Sequence, residues 1–285
     1  MEWTSLVFFT VAAEAAVGMV LVYWFFGFTA AARERRDSYA GLGTPVYLIA
    51  WLLTGIATVA SLTHLGWPLS AYRALGHLSS SWLSREVLLV TLFGLGGLAA
   101  WWRSRTAPVP GWAVALLAVL GLAETFASGM IYRLPSVPAD ANWFPVALFM
   151  ATALLTGVTG LLLLLQMTRE GQALAAEWTD KLSLFSLLTL LLSGALTFTY
   201  TSAAAHGLSE ARAQAAAFTA GAWYPIRLVV GLLVPAGIVI WFARRPRIAQ
   251  MLPVMALVIA VVVGELAGRL LFFTSSVFMA VNSGL

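Results

Sequence analysis

The stretch from residue 142 to residue 166, NWFPVALFMATALLTGVTGLLLLLQ, contains no acidic or basic side chain. A transmembrane helix needs about 20 consecutive, mostly apolar residues, so this stretch is long enough to cross a bilayer. Seven more stretches are mostly apolar and about as long. We place the predicted spans at 4–28, 44–66, 82–102, 111–133, 142–166, 182–204, 222–243 and 251–276. The pattern predicts an all-α integral membrane protein, in which residues 1–285 form a single bundle of eight transmembrane helices.

The composition of the whole chain agrees with this fold class. Hydrophobic residues make up 61% of the chain, charged residues make up 10%, and the mean hydropathy is +0.89. Soluble domains are roughly 45–50% apolar and about 25% charged. The balance therefore excludes a soluble globular protein, a disordered chain and a nucleic-acid-binding protein. Because the sequence contains no Cys, it offers no disulfide, no thiolate metal site and no Fe–S ligation, and we expect no metal site in this chain.

The basic residues predict the orientation of the bundle. Basic residues near the ends of spans favour the cytoplasmic side of a membrane. Ten of the 16 basic residues lie in the loops that follow odd-numbered spans, namely Arg33, Arg35, Arg36, Arg103, Arg105, Arg169, Lys181, Arg244, Arg245 and Arg247. We therefore expect these loops to be cytoplasmic and both termini to be extracytoplasmic. The N-terminal segment lacks a basic region, so we interpret it as the first helix and not as a cleavable signal.

A small set of ionisable residues falls within the predicted spans or at their ends. A charge at the centre of a membrane helix costs at least about 2.5–3.5 kcal/mol, so each of these residues needs a partner or a function. In the predicted orientation they gather toward the outer leaflet, and Glu14 is the nearest to the middle. This asymmetry predicts a polar pocket that opens near the outer face. The residues are Glu14, His64, Glu86, Glu124, Arg133, Arg227, Glu265 and Arg269.

The partners of the charges in the last two spans stay open at this point. Glu265 and Arg269 are four residues apart, so they share a helix face and can form a structural ion pair. Arg227 can join them, or it can pair with Glu124 or with Glu14.

His64 also has two interpretations. It lies near the end of a predicted helix, where the helix dipole stabilises a His side chain. Alternatively it handles protons, because His titrates near neutral pH. Glu86 follows across a short loop and can lie beside His64, and together the two groups could accept the two protons of a hydroquinone. The other two His residues, His77 and His206, lie beyond outer helix ends, so we expect no haem chain across the membrane.

Several short motifs resemble the DMSO reductase membrane-anchor family. That family has the pattern HLG-x-P, then a short amphipathic loop, then LS-x-E, and this sequence has HLGWP at 64–68, AYRAL at 71–75 and LSRE at 83–86. The GELAGR segment at 264–269, with Phe272 and Phe273, is similar to the family's last helix. Weaker similarities lie at 131–133, 137–138, Trp223 and Arg227. Length, eight helices and orientation agree along the whole chain.

The resemblance implies an anchor for a molybdopterin catalytic subunit and a four-cluster ferredoxin-like Fe–S subunit. Such anchors lie in the cytoplasmic membrane of bacteria or archaea, have no haem, bind menaquinol and pass its electrons directly to the partner's Fe–S cluster. The His and Glu implicated in the family's quinol site match His64 and Glu86. The further candidates for quinol contacts in this protein are Glu14, Glu124, Arg227, Glu265 and Arg269.

The resulting hypothesis is a quinol-oxidising membrane subunit that is not itself the catalytic core of the oxidoreductase. In it, His64 accepts one proton and Glu86 accepts or relays the second. One alternative is a proton- or ion-coupled transporter that uses the same buried charges. Helices broken near the midplane in corresponding halves would favour a transporter, and we find no such pair of Gly/Pro interruptions in the sequence. Another alternative is a purely structural anchor, with quinol handled by a different subunit.

Overall fold

The computed structural model describes residues 2–63, 68–244 and 251–279, and all regular structure in these ranges is helical. A 3₁₀ helix covers Pro68–His77, and a π-helical turn, Val229–Leu233, joins α9 to α10. The α-helices are α1 (Glu2–Phe26), α2 (Ala30–Glu34), α3 (Arg36–Thr63), α4 (Trp82–Ser104), α5 (Gly111–Ile131), α6 (Phe144–Met167), α7 (Arg169–Ala205), α8 (Ser209–Ala220), α9 (Trp223–Leu228), α10 (Val234–Arg244) and α11 (Met251–Ser275).

The predicted eight spans are confirmed. Within the described ranges, eight helices are long and apolar enough to cross a membrane, and the seventh, Trp223–Phe242, runs through α9, the π-turn and most of α10. Two spans begin well before the predicted residues 44 and 182, because α3 begins at Arg36 and α7 begins at Arg169. Hydropathy shows where the apolar part of a helix begins, but the helix itself can begin earlier, in polar residues. At α7 the extension is capped, since the Thr168 side chain accepts a hydrogen bond from the Gly171 N–H at 3.0 Å.

Three helical segments were not predicted. The helix α2, the 3₁₀ helix Pro68–His77 and α8 all lie in connections between spans. They are too short and too polar for a search based on apolar stretches of about 20 residues. In α8, Gln214 and Phe218 are buried against the bundle, so this helix packs onto the ends of the spans.

The centre of the bundle is formed by α1 and α6, which cross in direct backbone contact. A Cβ atom on Gly157 would lie 2.2 Å from the carbonyl carbon of Gly18, so only glycine fits at this crossing. Glycine at such a contact allows membrane helices to approach closely. The side chains of Ala16 and Val20 on α1 are fully buried, as expected for a helix surrounded by others.

The two ends of the bundle differ in charge. At the end where α1 begins, Trp3 stacks on Phe273 of α11 with 5.9 Å between ring centroids. We call this end the N-terminal face. At the opposite end, the Trp178 indole N–H donates to the Thr29 hydroxyl at 3.0 Å. We call that end the arginine-rich face, because its helix ends and connections carry Arg33, Arg35, Arg36, Arg103, Arg105 and Arg169.

Candidate functional site

The buried charges of the bundle lie in the half nearer the N-terminal face. Glu86 is four residues after the start of α4, and Arg227 is four residues after the start of α9. Each of the six side chains in this group is at most 5% exposed. The group comprises Glu14 on α1, Glu86 on α4, Glu124 on α5, Arg227 on α9, and Glu265 and Arg269 on α11.

Four of these charges form two ion pairs between helices. Arg227 Nη1 lies 2.5 Å from Glu265 Oε1, and Arg269 Nη2 lies 2.6 Å from Glu14 Oε2. Glu265 and Arg269 therefore pair with side chains on other helices, and not with each other as their spacing on α11 would have allowed. Of the partners left open for Arg227, the structure selects Glu265. The packing of the helices explains this pairing, because α1 places Glu14 beside Arg269 and α9 places Arg227 beside Glu265.

Hydroxyl groups complete this network. The Thr152 hydroxyl donates to Glu265 Oε2 at 2.7 Å and accepts from Arg269 Nη2 at 3.3 Å, so it links the two pairs. The Ser193 hydroxyl accepts from Arg227 Nη2 at 2.5 Å. Two carboxylates and two guanidinium groups balance to zero net charge, which is the arrangement that makes ionic groups tolerable in a dry interior.

Close backbone contact positions Arg227. A Cβ atom on Gly264 would lie 2.1 Å from the Gly231 Cα, and a Cβ atom on Gly268 would lie 3.0 Å from Arg227 Nε. Gly231 belongs to the π-helical turn, a rare geometry that often marks functional regions of helices. The seventh span thus presses its backbone against α11 and places the guanidinium beside Glu265. Sequence reasoning missed this role, although the Gly264-x-x-x-Gly268 spacing is a known signal for close helix packing.

Arg269 also borders a small internal cavity. Its guanidinium carbon lies 3.4 Å from the centroid of the Phe149 ring, and its Nη1 has no hydrogen-bond partner among the described residues. The cavity has a volume of about 30 Å³, and Thr197 and Tyr200 also line it. A space of this size with polar walls can hold a water molecule, which would satisfy Nη1.

Glu86 and Glu124 form a second, different group. The two residues lie on neighbouring helices, α4 and α5, and both side chains are buried. Glu86 Oε1 and Glu124 Oε1 have no hydrogen-bond partner in the part of the protein that the structure describes, and no described Arg or Lys forms an ion pair with either residue. The Ser128 hydroxyl faces Glu86, and the Thr125 hydroxyl donates to Glu124 Oε2 at 3.2 Å. These carboxylates are therefore buried without a compensating cation.

His64, with the rest of residues 64–67, lies outside the described residues. The described helix α3 ends at Thr63, directly before it. A groove of about 910 Å³ runs between α1 and α3 and reaches Thr63. Its walls are mainly apolar, with Phe8 from α1 and Ile56 and Val59 from α3. An apolar groove of this kind suits a lipid-soluble ligand more than a polar one.

A buried polar cluster fastens the connections at the N-terminal face. The Tyr200 hydroxyl donates to Asp140 Oδ1 at 2.6 Å, and Gln214 Nε2 donates to the Tyr200 oxygen at 2.6 Å. The Val277 N–H in turn donates to Gln214 Oε1 at 3.2 Å. Burial raises the pKa of Asp140, while the two hydrogen bonds lower it. The cluster ties the α5–α6 connection to α7, to α8 and to the segment after α11, and nothing in the sequence pattern predicted it.

Comparison with known proteins identifies the family. The family described as "DMSO reductase anchor subunit (DmsC)" matches residues 1–274. The protein belongs to this family. The resemblance predicted from the motifs at 64–68, 83–86 and 264–269 is thereby confirmed, and membership favours the anchor hypothesis over the transporter alternative.

Relatives of this DMSO reductase anchor subunit occur in Escherichia coli (strain K12) and Haemophilus influenzae. The YnfH subunit of an E. coli anaerobic dimethyl sulfoxide reductase is 29% identical, over 95% of this protein and 94% of its own length. A second E. coli relative, also a subunit of an anaerobic dimethyl sulfoxide reductase, is 28% identical, over 78% of both sequences. The corresponding H. influenzae subunit is 30% identical, over 54% of this protein and 55% of its own length.

Family and fold together establish the general role of the protein. It is a multi-pass membrane protein and the membrane anchor of a DMSO reductase-like complex. Within the described ranges, no group of three His, Asp or Glu side chains is arranged to hold a metal ion.

Proposed function

We propose that this anchor oxidises menaquinol and passes the electrons to a partner Fe–S subunit of a molybdopterin oxidoreductase complex. The observation that carries the proposal is Glu86, a carboxyl group that is 4% exposed, has an unpartnered oxygen and lacks a cationic partner among the described residues. Such a group is costly in a membrane unless it has a function. It lies at the start of α4, one connection after His64.

The groove between α1 and α3 supports a lipid-soluble substrate. It is open along the side of the bundle, is lined mostly by apolar side chains such as Leu52 and Ile56, and reaches the end of α3. A quinol that enters from the bilayer would lay its apolar tail along this groove and bring its ring toward residues 63–86. The ring hydroxyls would then meet His64 and Glu86.

The chemistry requires two proton acceptors. Oxidation of a hydroquinone to a quinone releases two protons and two electrons. In our proposal His64 accepts one proton and Glu86 accepts the other, which is general-base catalysis by groups placed at the hydroxyls. The electrons leave toward a four-cluster ferredoxin-like Fe–S subunit, beyond which the molybdopterin catalytic subunit is bound.

The remaining buried charges support the pocket. The pairs Arg227–Glu265 and Arg269–Glu14 keep a polar but neutral wall behind the proposed quinol position. Because the charges of the wall balance, it adds no uncompensated negative charge that would oppose the release of protons from the quinol. Glu124, buried on α5, would add a further carboxyl group to the pocket.

The charge difference between the two ends of the bundle supports one orientation of the protein in the membrane. The arginine-rich face would be cytoplasmic and the N-terminal face extracytoplasmic, following the preference of basic residues for the cytoplasmic side. Both termini would then lie outside the cytoplasmic membrane of a bacterium or archaeon. The partner subunits would bind at the N-terminal face, next to the proposed quinol site, which keeps the path for the electrons short.

Steady-state kinetics of the assembled complex test the proposal. We expect His64→Ala and Glu86→Gln each to lower kcat/KM for a short-chain menaquinol analogue by about 100-fold or more, the range typical of lost general bases. The matched control is Glu34→Gln, because Glu34 is exposed on α2 at the arginine-rich face. A water-soluble dye that reduces the partner subunits directly should give unchanged rates in all variants. Full quinol oxidation by either site variant would overturn the proposal.

A further inference from the structure

We propose that the groove between α1 and α3 selects quinols by the length of their isoprenoid tail, and that Gly55 is the residue that keeps the groove open for this tail. The inference rests on the proposed function and deepens it, because it adds a choice of tail length to recognition of the quinol ring. It assigns to Gly55 a role in specificity and none in proton or electron transfer.

One face of α3 explains the shape of the groove. Residues four apart in a helix lie on successive turns of one face, and this face comprises Tyr47, Trp51, Gly55, Val59 and Thr63. Tyr47 is 1% exposed, and its ring lies 5.7 Å from the Tyr23 ring of α1, so α1 covers this face toward the arginine-rich face. From Trp51 to Thr63, in contrast, the same face lines the groove.

Trp51 is where the groove ends. Among the α3 residues that line it, Trp51 is the farthest from Thr63. Its ring stacks on the Trp101 ring of α4, with 5.9 Å between the centroids and 7° between the planes, and this stack holds the indole in place. The segment from Trp51 to Thr63 is about 18 Å long at 1.5 Å per residue, which gives the length of the groove along α3.

The polarity of the groove changes along its length. Hydroxyl-bearing side chains line it at the N-terminal face, from Thr4 and Ser5 on α1 and from Thr63 on α3. Deeper in the groove the lining is apolar, with residues such as Leu52 and Ile56. This order fits a molecule with a polar ring at the N-terminal face and an apolar tail that points toward the middle of the membrane.

Gly55 leaves space in the middle of the groove. A Cβ atom at this position would have no neighbour within 4 Å, so a larger side chain would enter the groove without pressing on the protein. The adjacent Thr54 and nearby Ala57 are buried, so the other side of this turn is packed. Because glycine lowers the stability of a helix interior, a glycine beside free space indicates that the space itself is used.

Tail length matters through packing and not through the hydrophobic effect. The bilayer is as apolar as the groove, so moving a tail from lipid into the groove removes no apolar surface from water. The tail gains van der Waals contacts with the walls, and it holds the ring at the polar end. An extended isoprenoid unit is about 5 Å long, as four carbon–carbon bonds of about 1.5 Å imply, so the groove holds about three to four units. Further units extend past Trp51 into lipid.

A series of menaquinol analogues tests the selection. The assembled complex in lipid nanodiscs would oxidise analogues with one, two, four and eight isoprenoid units, and substrate concentration would be expressed as the mole fraction in the bilayer. We expect kcat/KM to rise about tenfold from one unit to four units and to change by less than about twofold from four to eight. A constant kcat/KM across the series, or a rise that continues to eight units, would overturn the proposal.

A substitution at Gly55 tests the residue. We expect Gly55→Leu to reduce the ratio of kcat/KM for the four-unit and one-unit analogues from about ten to about one, because the side chain occupies the space of the tail. The matched control is Gly237→Leu on α10, since Gly237 also has no Cβ neighbour within 4 Å and lines a separate apolar groove. The control should keep the native ratio. If Gly55→Leu fails to assemble, the smaller Gly55→Ala should still lower the ratio to about three.

The ratio separates this inference from the proposed function. General damage to the protein lowers kcat/KM for both analogues and leaves their ratio at about ten, and such a result in Gly55→Leu would contradict the role of Gly55. The proposed function would still stand, because the native complex oxidises the analogues. If the native complex oxidises none of them, while a water-soluble dye still reduces the partner subunits, the proposed function fails together with this inference.

Discussion

Arg227 and Glu265 form an ion pair whose side chains are each only 4% exposed. The free energy of such a pair is nearly balanced, because its Coulomb attraction offsets the cost of removing two charges from water. Loss of one partner is different, since it leaves the other as an uncompensated charge in the bundle. We therefore expect the intact pair to add little net stability and to act mainly by selecting how α9 packs against α11.

This asymmetry gives a double-variant prediction. We expect Glu265→Leu to destabilise the protein by about 3–5 kcal/mol, because Arg227 remains buried without its partner. Adding Arg227→Met should restore most of that loss, since both charges are then gone. Thermal unfolding of the purified complex in one detergent measures the three free energies. Equal destabilisation by the single and the double variants would contradict the pairing seen here.

The sequence predicted which residues carry buried charge but not which of them pair. A charged side chain within an apolar stretch is visible in the sequence, and so Glu14, Glu124 and Arg227 were all identified as candidates. Their partners depend on how each helix is rotated about its axis and how closely it approaches its neighbours. Those quantities depend on contacts such as Gly231 with Gly264, which are far apart in the sequence.

Among the helices, the spans could be predicted because hydrophobic length is a local property. All eight were found, yet α7 begins at Arg169, well before the predicted residue 182. The extra turns contain polar residues such as Glu170 and Lys181, so hydropathy does not detect them. The short helix α8 and the 3₁₀ helix Pro68–His77 depend on packing at the N-terminal face, which a search for spans does not test.

The crossing of α11 with the π-helical turn provides a prediction about packing. We expect Gly264→Ala to cost about 1–3 kcal/mol, the usual range for overpacking, because its Cβ would lie 2.1 Å from the Gly231 Cα. The helices must then separate, which also moves Arg227 away from Glu265 and lowers quinol oxidation. The matched control is Gly237→Ala on α10, since a Cβ atom there has no neighbour within 4 Å.

Thermal unfolding and quinol oxidation together test this prediction. The control should match the native complex in both measurements. A Gly264→Ala variant that is as stable and as active as the control would show that the close crossing is not needed to position Arg227.

As a whole, the molecule has two ends that differ in charge and in structure. The arginine-rich face carries six of the 14 basic residues in the described ranges, which suits the side that is retained in the cytoplasm. The N-terminal face holds the 3₁₀ helix, α8 and the Asp140–Tyr200–Gln214 cluster, and the buried charges lie just beneath it. In our account, this face is where quinol is oxidised and where the partner subunits of the DMSO reductase-like complex bind.

Photolabelling is the most direct test of this account. A menaquinone analogue with a photoreactive group would be bound to the assembled complex, cross-linked by light and located by peptide mass spectrometry. We predict labels within residues 51–63 and 82–86, beside the α1–α3 groove and Glu86, and we predict that excess unmodified quinol analogue removes them. Competed labels confined to the connections at the arginine-rich face, residues 27–35 and 104–111, would contradict the central claim.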